Sequence, residues 1–258
     1  MEVSRSLLLL AVVVLFAIVT QNVSPSSILG LMKFFKFNSE EESLLPKEQR
    51  CLQYLSSHAI RGNATSVLSA IDRFGWEESF LMNVGDVKGQ ILTNELKKSS
   101  PKYVLEVGAY LGYSAVRIAS QLPKDSHLIS VELSSLHVSY ARQTVEYAGL
   151  TDRVTFLEGT VPTTSLKSLL SQRNVEHFDF IFLDHAKGFY LSDLKYLLAE
   201  KLIQPNATIV ADNVLLPGAP DYWYYVTFDS KFSTKSHFSQ IEYLPLPDIV
   251  TVSKFLGY

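Results

Sequence analysis

Between residues 103 and 212 the chain alternates two rhythms, and that alternation limits its fold more than any other feature. Five short apolar runs, "YVLEVG" (103–108), "HLISVEL" (127–133), "RVTFLEG" (153–159), "FDFIFLD" (178–184) and "ATIVAD" (207–212), read as strands. Between them, "YSAVRIASQL", "SLHVSYARQTVEYAG", "TSLKSLLS" and "YLSDLKYLLAEKL" carry apolar residues three and four apart, the spacing of a helix with one buried face. Strands too apolar to face water on either side, each followed by a helix, predict a parallel sheet covered on both faces. The segments "FSQIEYLPL" and "DIVTVSKFL" predict two more strands, an antiparallel edge pair. Helical spacing also governs "EQRCLQYLSSHAI", "ATSVLSAIDRFG" and "KGQILTNELKK" before the first strand.

The N-terminus follows other rules. Leu7 to Val19 is an unbroken apolar run of 13 residues preceded by Arg5, which suits a signal anchor or transmembrane segment over residues 1–23, with a cleaved signal peptide and secretion as the alternative. Residues 24–45, with "SPSS" and "NSEEESLLPKE", read as a stalk, and residues 46–258 as one globular domain. A formal net charge of −3 gives no sign of a basic nucleic-acid-binding face, and the single Cys51 excludes an intrachain disulfide or a cysteine-based zinc site. Asn63-Ala64-Thr65 and Asn206-Ala207-Thr208 match the N-glycosylation pattern, which makes the side of the membrane testable.

In an open sheet of this kind ligands bind beyond the carboxyl ends of the strands. Every one of the five ends carries an acid: Glu106, Glu132, Glu158, Asp184 and Asp212. The turn Glu106-x-Gly108-x-x-x-Gly112 lets backbone approach a ligand, but Tyr110 stands where a dinucleotide fingerprint has its second glycine. With Glu132 placed to accept ribose hydroxyls, a nucleoside without a pyrophosphate fits better than NAD, and S-adenosylmethionine leads. A turn-forming role for the same glycines is the plainer alternative. Asp184, Asp212 and Asn213 offer oxygen ligands only, which suits a hard cation such as Mg²⁺; Asp212-Asn213 as a simple turn start is the alternative. Lys187, three residues beyond Asp184, is either a general base or a salt-bridge partner of Asp184.

"NVGDVKGQIL" (83–92), "VLEVGAYLGYSAVRIA" (104–119), "EYAGLTDRVTFLEG" (146–159), "FLDHAKGFYL" (182–191) and "ADNVLLPGAPDY" (211–222) resemble the catechol O-methyltransferase family, from about Glu48 to the C-terminus. The apolar N-terminus resembles the membrane-bound form. The resemblance implies a Rossmann-like class I methyltransferase fold with a mostly parallel seven-stranded sheet, and an enzyme moving the methyl group of S-adenosylmethionine to a catechol hydroxyl. It implies that Val84, Glu106, Gly108, Tyr110, Ser114, Glu132, Asp184 and His185 line the cofactor site. It also implies that Asp184, Asp212 and Asn213 hold Mg²⁺, that Lys187 is the base, and that Glu242, with Asp184, Lys187 and Asn213, binds the catechol. Phe80 and Met82 would flank the substrate mouth. Ala186 and Phe80 stand where the family has tryptophans, and Val161 where it has a small polar residue; these departures bear on cofactor affinity and substrate choice, not on reaction class. A non-catalytic relative with a binding role at the membrane is the rival reading, and an NAD-dependent oxidoreductase a third.

Overall fold

The computed structural model describes residues 45–258, so the expected anchor over 1–23 and all but the last residue of the stalk lie outside it. Three helices lead: α1 (Lys47–His58), α2 (Ala64–Glu77) and α3 (Gly85–Ser99). Then come β1 (Tyr103–Val107), α4 (Tyr113–Gln121), β2 (His127–Glu132), α5 (Ser135–Tyr147), β3 (Val154–Glu158), α6 (Leu166–Gln172) and β4 (Phe178–Leu183). The chain closes with α7 (Tyr190–Ala199), β5 (Ile203–Ala211), α8 (Pro220–Phe228), β6 (Phe232–Gln240) and β7 (Pro247–Phe255).

The strands form one seven-stranded sheet in the order β3-β2-β1-β4-β5-β7-β6. The first five are parallel, and β7 is inserted antiparallel between β5 and β6. Within β1 and β4 side chains alternate between two cores. Val104, Phe180 and Phe182 pack with α1 to α5, whereas Leu105, Val107, Phe178, Ile181 and Leu183 pack with α6 to α8. Apolar residues on both faces are what made "FDFIFL" continuous, and each fully buried Phe contributes roughly 1.5–3 kcal/mol of transfer free energy. Its one acid, Asp179, accepts the backbone N–H groups of Lys102 and Tyr103 at 2.8 and 3.0 Å, satisfying the start of β1.

The sixth strand falls earlier than its apolar residues suggested, over "FSTKSHFSQ" rather than "FSQIEYLPL". As the sheet edge it buries little, so its sequence is polar; residues 241–246 instead form the turn into β7, where Ile241 N–H and Leu246 C=O close at 2.8 Å. Among the described residues no helix is long and apolar enough to cross a membrane.

Candidate active site

Strand order reverses between β1 and β4, and the candidate residues gather at their carboxyl ends. The turn after β1 closes tightly on β4. Gly108 has φ +98°, and a Cβ there would stand 2.6 Å from the Asp184 carbonyl oxygen. Gly112, at φ +81°, lets the start of α4 pass close to Ala141 of α5, where a Cβ would stand 2.9 Å from its backbone. Tyr110 accepts the left-handed conformation too, and its hydroxyl donates to Glu48 of α1 at 2.7 Å.

Glu132 ends β2 and braces this turn: Oε2 accepts the backbone N–H groups of Ala109 and Tyr110 at 3.0 and 3.1 Å, and Oε1 that of Ser134 at 2.9 Å. Glu106 lies inside β1 and is fully buried. Burial pushes its carboxyl up to about 7, although the nearby Ser114 and Ser130 hydroxyls ease the charge. Ser130 donates to Oε2, while Ser114 falls short of hydrogen-bond geometry and Oε1 has no donor. Val84 is buried at the entry to α3.

At the end of β4, Lys187 Nζ lies 2.9 Å from Asp184 Oδ1 and 2.7 Å from the Tyr190 hydroxyl, so the ion pair with Asp184 is formed. Tyr190 in turn reaches the carbonyls of Leu183 and Asp212, at 2.9 and 3.0 Å, and thereby ties Lys187 to the ends of both β4 and β5. Burial, then Asp184 and Asp212, hold this phenol well above its ordinary pKa, so it stays protonated. His185 turns away from the rim: its Nε2 lies 3.0 Å from Asp193 Oδ2 and its ring packs on Tyr190. Of the departures from the family pattern, Ala186 is exposed and Val161 is fully buried; Met82 is exposed beside the half-buried Phe80.

After β5 the charges are deepest. Asp212 Oδ1 accepts the Asn213 backbone N–H at 2.8 Å and faces Lys88 Nζ at 2.8 Å; Oδ2 is buried with no partner. Lys88, on α3, is 1% exposed and also meets Glu242 Oε2 at 2.7 Å and Asp248 Oδ2 at 2.9 Å. Burial works to lower its pKa, but Asp212, Glu242 and Asp248 more than reverse this and keep it charged. Burial pushes Asp212 up to about 7 against the pull of Lys88, with Asp184 and Glu242 adding to the rise. Asn213 Nδ2 donates to Asp248 Oδ2 at 2.9 Å, which leaves the amide oxygen as the acceptor for another ligand.

The structure thus brings Glu106, Gly108, Asp184, Lys187, Asp212, Asn213 and Glu242 to one end of the sheet. Sequence reasoning missed Lys88, Asp248 and Tyr190. The signal for Lys88 was present: it shares a helical stripe with Leu92 and Leu96, both buried, whereas the apolar Val87 beside it is exposed.

A parallel sheet with a reversed antiparallel seventh strand, a glycine turn after β1 and acids at the strand ends defines the class I methyltransferase architecture. A solved O-methyltransferase from Streptomyces achromogenes, described as a complex with SAM, shares this fold with a TM-score of 0.64 at 21% identity, covering 83% of this chain and all of its own. The O-methyltransferase family model matches residues 63–221. Catechol O-methyltransferase of Mus musculus is 39% identical over 211 residues, 82% of this chain and 79% of its own length. A transmembrane O-methyltransferase homolog of the same organism is 32% identical over 198 residues, 77% of each chain. The chain belongs to the O-methyltransferase family.

Proposed function

We infer that this O-methyltransferase moves the methyl group of S-adenosylmethionine to one hydroxyl of a catechol, with Mg²⁺ beside the acceptor oxygen. The observation that carries the reading is the buried, unpartnered Asp212 Oδ2, flanked in sequence by the amide of Asn213 and in space by Asp184. Lys88 and Lys187 face four carboxylates, Asp184, Asp212, Glu242 and Asp248, which leaves two negative charges uncompensated in a buried site. That is the charge of one divalent cation, and the donors are all oxygen. Asp184, Asp212 and Asn213 would hold it, and when bound it would lower the pKa of an adjacent hydroxyl.

The chain's own residues would do the rest. Glu106 Oε1, a buried acceptor with no donor, suits the ammonium group of the cofactor, and Glu132 at the rim suits its ribose. The methyl–sulfur bond breaks as the methyl–oxygen bond forms, so positioning and charge neutralisation carry most of the rate. The hydroxyl proton would pass to Lys187 Nζ once that amine, partly exposed, has released its own proton to water; Tyr190 keeps that nitrogen in place. Glu242, whose Oε2 is held by Lys88, would hold the second hydroxyl. The apolar run of residues 7–19 would tether the domain to a membrane, a reading supported by its similarity to a protein named as a transmembrane homolog.

The test is methyl transfer from S-adenosylmethionine to a simple catechol by the full chain in detergent, with Mg²⁺ or with EDTA, beside Lys187→Ala. Product that needs the metal and falls about 10²–10⁴-fold in the variant is expected. Cofactor binding without methylation of any catechol would overturn the reading and favour a binding role.

A further inference from the structure

Lys88 and Asp248 have no part in the chemistry described above, yet both are charged residues buried beside it, at 1% exposure each. Lys88 comes from α3, Asp248 is the second residue of β7, and they meet at 2.9 Å. Each holds one oxygen or nitrogen of a residue assigned to the cation. Lys88 shares Asp212 Oδ1 with a backbone N–H, which leaves only Oδ2 uncommitted. Asp248 Oδ2 takes Asn213 Nδ2, which decides which way that amide is turned. Asp248 Oδ1 also accepts the Leu216 N–H at 3.1 Å, pinning the loop that carries Asn213 away from β5. Asn213 itself is held in the left-handed conformation, at φ 52°, where side-chain direction is set by the turn.

We propose that Lys88 and Asp248 are a pair of positioning residues that select which oxygen of Asp212 and which end of the Asn213 amide are presented to a divalent cation. The proposal rests on the functional reading above. It concerns geometry rather than charge, and the two explanations differ in sign. If the pair acted only through net charge, removing the cation Lys88 would strengthen cation binding. Acting through position, its loss frees Asp212 Oδ1 and lets Glu242 and Asp248 repel one another, so binding weakens.

The experiment is Mn²⁺ binding to the full chain in detergent micelles, read by electron paramagnetic resonance of the free ion and by competition with Mg²⁺, without turnover. Lys88→Met and Asp248→Glu are compared with the unaltered chain. Asp248→Glu keeps the charge and moves the carboxylate by one methylene, so a charge-only role leaves its affinity unchanged. Both variants are expected to bind Mn²⁺ about tenfold or more weakly, the range over which partners of metal ligands usually act. Tighter binding by Lys88→Met, or unaltered binding by Asp248→Glu, would overturn the proposal. Thermal unfolding checks that each variant is folded; should Lys88→Met not fold, Asp248→Glu decides alone. Absence of Mn²⁺ binding by the unaltered chain would instead overturn the metal reading itself and take this proposal with it.

Discussion

Gly108→Ala should be among the most damaging single-methyl additions to this domain. Gly108 has φ +98°, and the new Cβ would lie 2.6 Å from the Asp184 carbonyl oxygen, 2.7 Å from its carbonyl carbon and 2.9 Å from the His185 nitrogen. All three are backbone atoms, so no side chain can swing aside. The strands they belong to are joined through the ladder and through the Asp184 N–H to Val107 C=O bond of 2.9 Å, so they cannot part cheaply. The positive φ costs about 1–2 kcal/mol for a residue with a Cβ. Forcing a methyl group into filled space costs about 1–3 kcal/mol more. Together, about 2–5 kcal/mol corresponds to a Tm lowered by roughly 5–15 °C in a domain of this size. Gly188→Ala is the control, since Gly188 has nothing within 4 Å of its would-be Cβ. Thermal unfolding followed by circular dichroism, with S-adenosylmethionine binding measured on the same samples, reads both effects. A Gly108→Ala Tm within 2 °C of the Gly188→Ala value would refute the claim that the β1 turn and the end of β4 are locked together.

Two further predictions concern residues away from the chemistry. Asn63 caps α2 by accepting the Ser66 N–H at 3.0 Å, so Asn63→Ala should cost about 1 kcal/mol in chemical denaturation, with Asn63→Asp nearly neutral. Burial, followed by Arg173 and Arg153, lowers the His127 pKa to about 4, whereas an unfolded chain would protonate it near 6.5. The unfolded state therefore binds the extra proton between those values, and stability present above pH 6.5 is lost as pH falls toward 4. Half-exposure screens the effect to about 1–2 kcal/mol. His127→Gln should flatten that part of the Tm-against-pH curve; superimposable curves for the two proteins would contradict it.

Which parts of this molecule could be read from the sequence follows from the range of the forces involved. The five parallel strands were legible because burial on both faces leaves a continuous apolar run, and their acidic ends were legible because a charge next to such a run needs a partner. The edge strand β6 was misplaced because an edge buries one side at most, and "FSTKSHFSQ" carries no such run. His185 enters the cofactor list only through the family resemblance, and nothing local in the sequence announced that its ring would lie beside Asp193, one turn into α7. Lys88 and Asp248 were missed for a different reason. A lone lysine in a helix and a lone aspartate at a strand start look like surface residues until the chain folds, because Lys88 lies 154 positions from Glu242 and 160 from Asp248.

Those distant ion pairs also explain how one end of the sheet can hold so many carboxylates. A buried acid tolerates its neighbours only when each is either neutralised or left for a ligand that brings the missing charge. Lys88 neutralises part of Asp212, Glu242 and Asp248 from beneath, and Lys187 part of Asp184 from above. Among the carboxylate oxygens of the described residues, two are buried without a partner: Asp212 Oδ2, beside the Asn213 amide, and Glu106 Oε1, beneath the glycine turn. Both carboxyls are pushed up to about 7 by burial, so each gains most from a cation brought by a ligand. On the function proposed above, binding at those two oxygens would supply stability the fold leaves unclaimed, so the same burial would set both the cost of the site and its affinity.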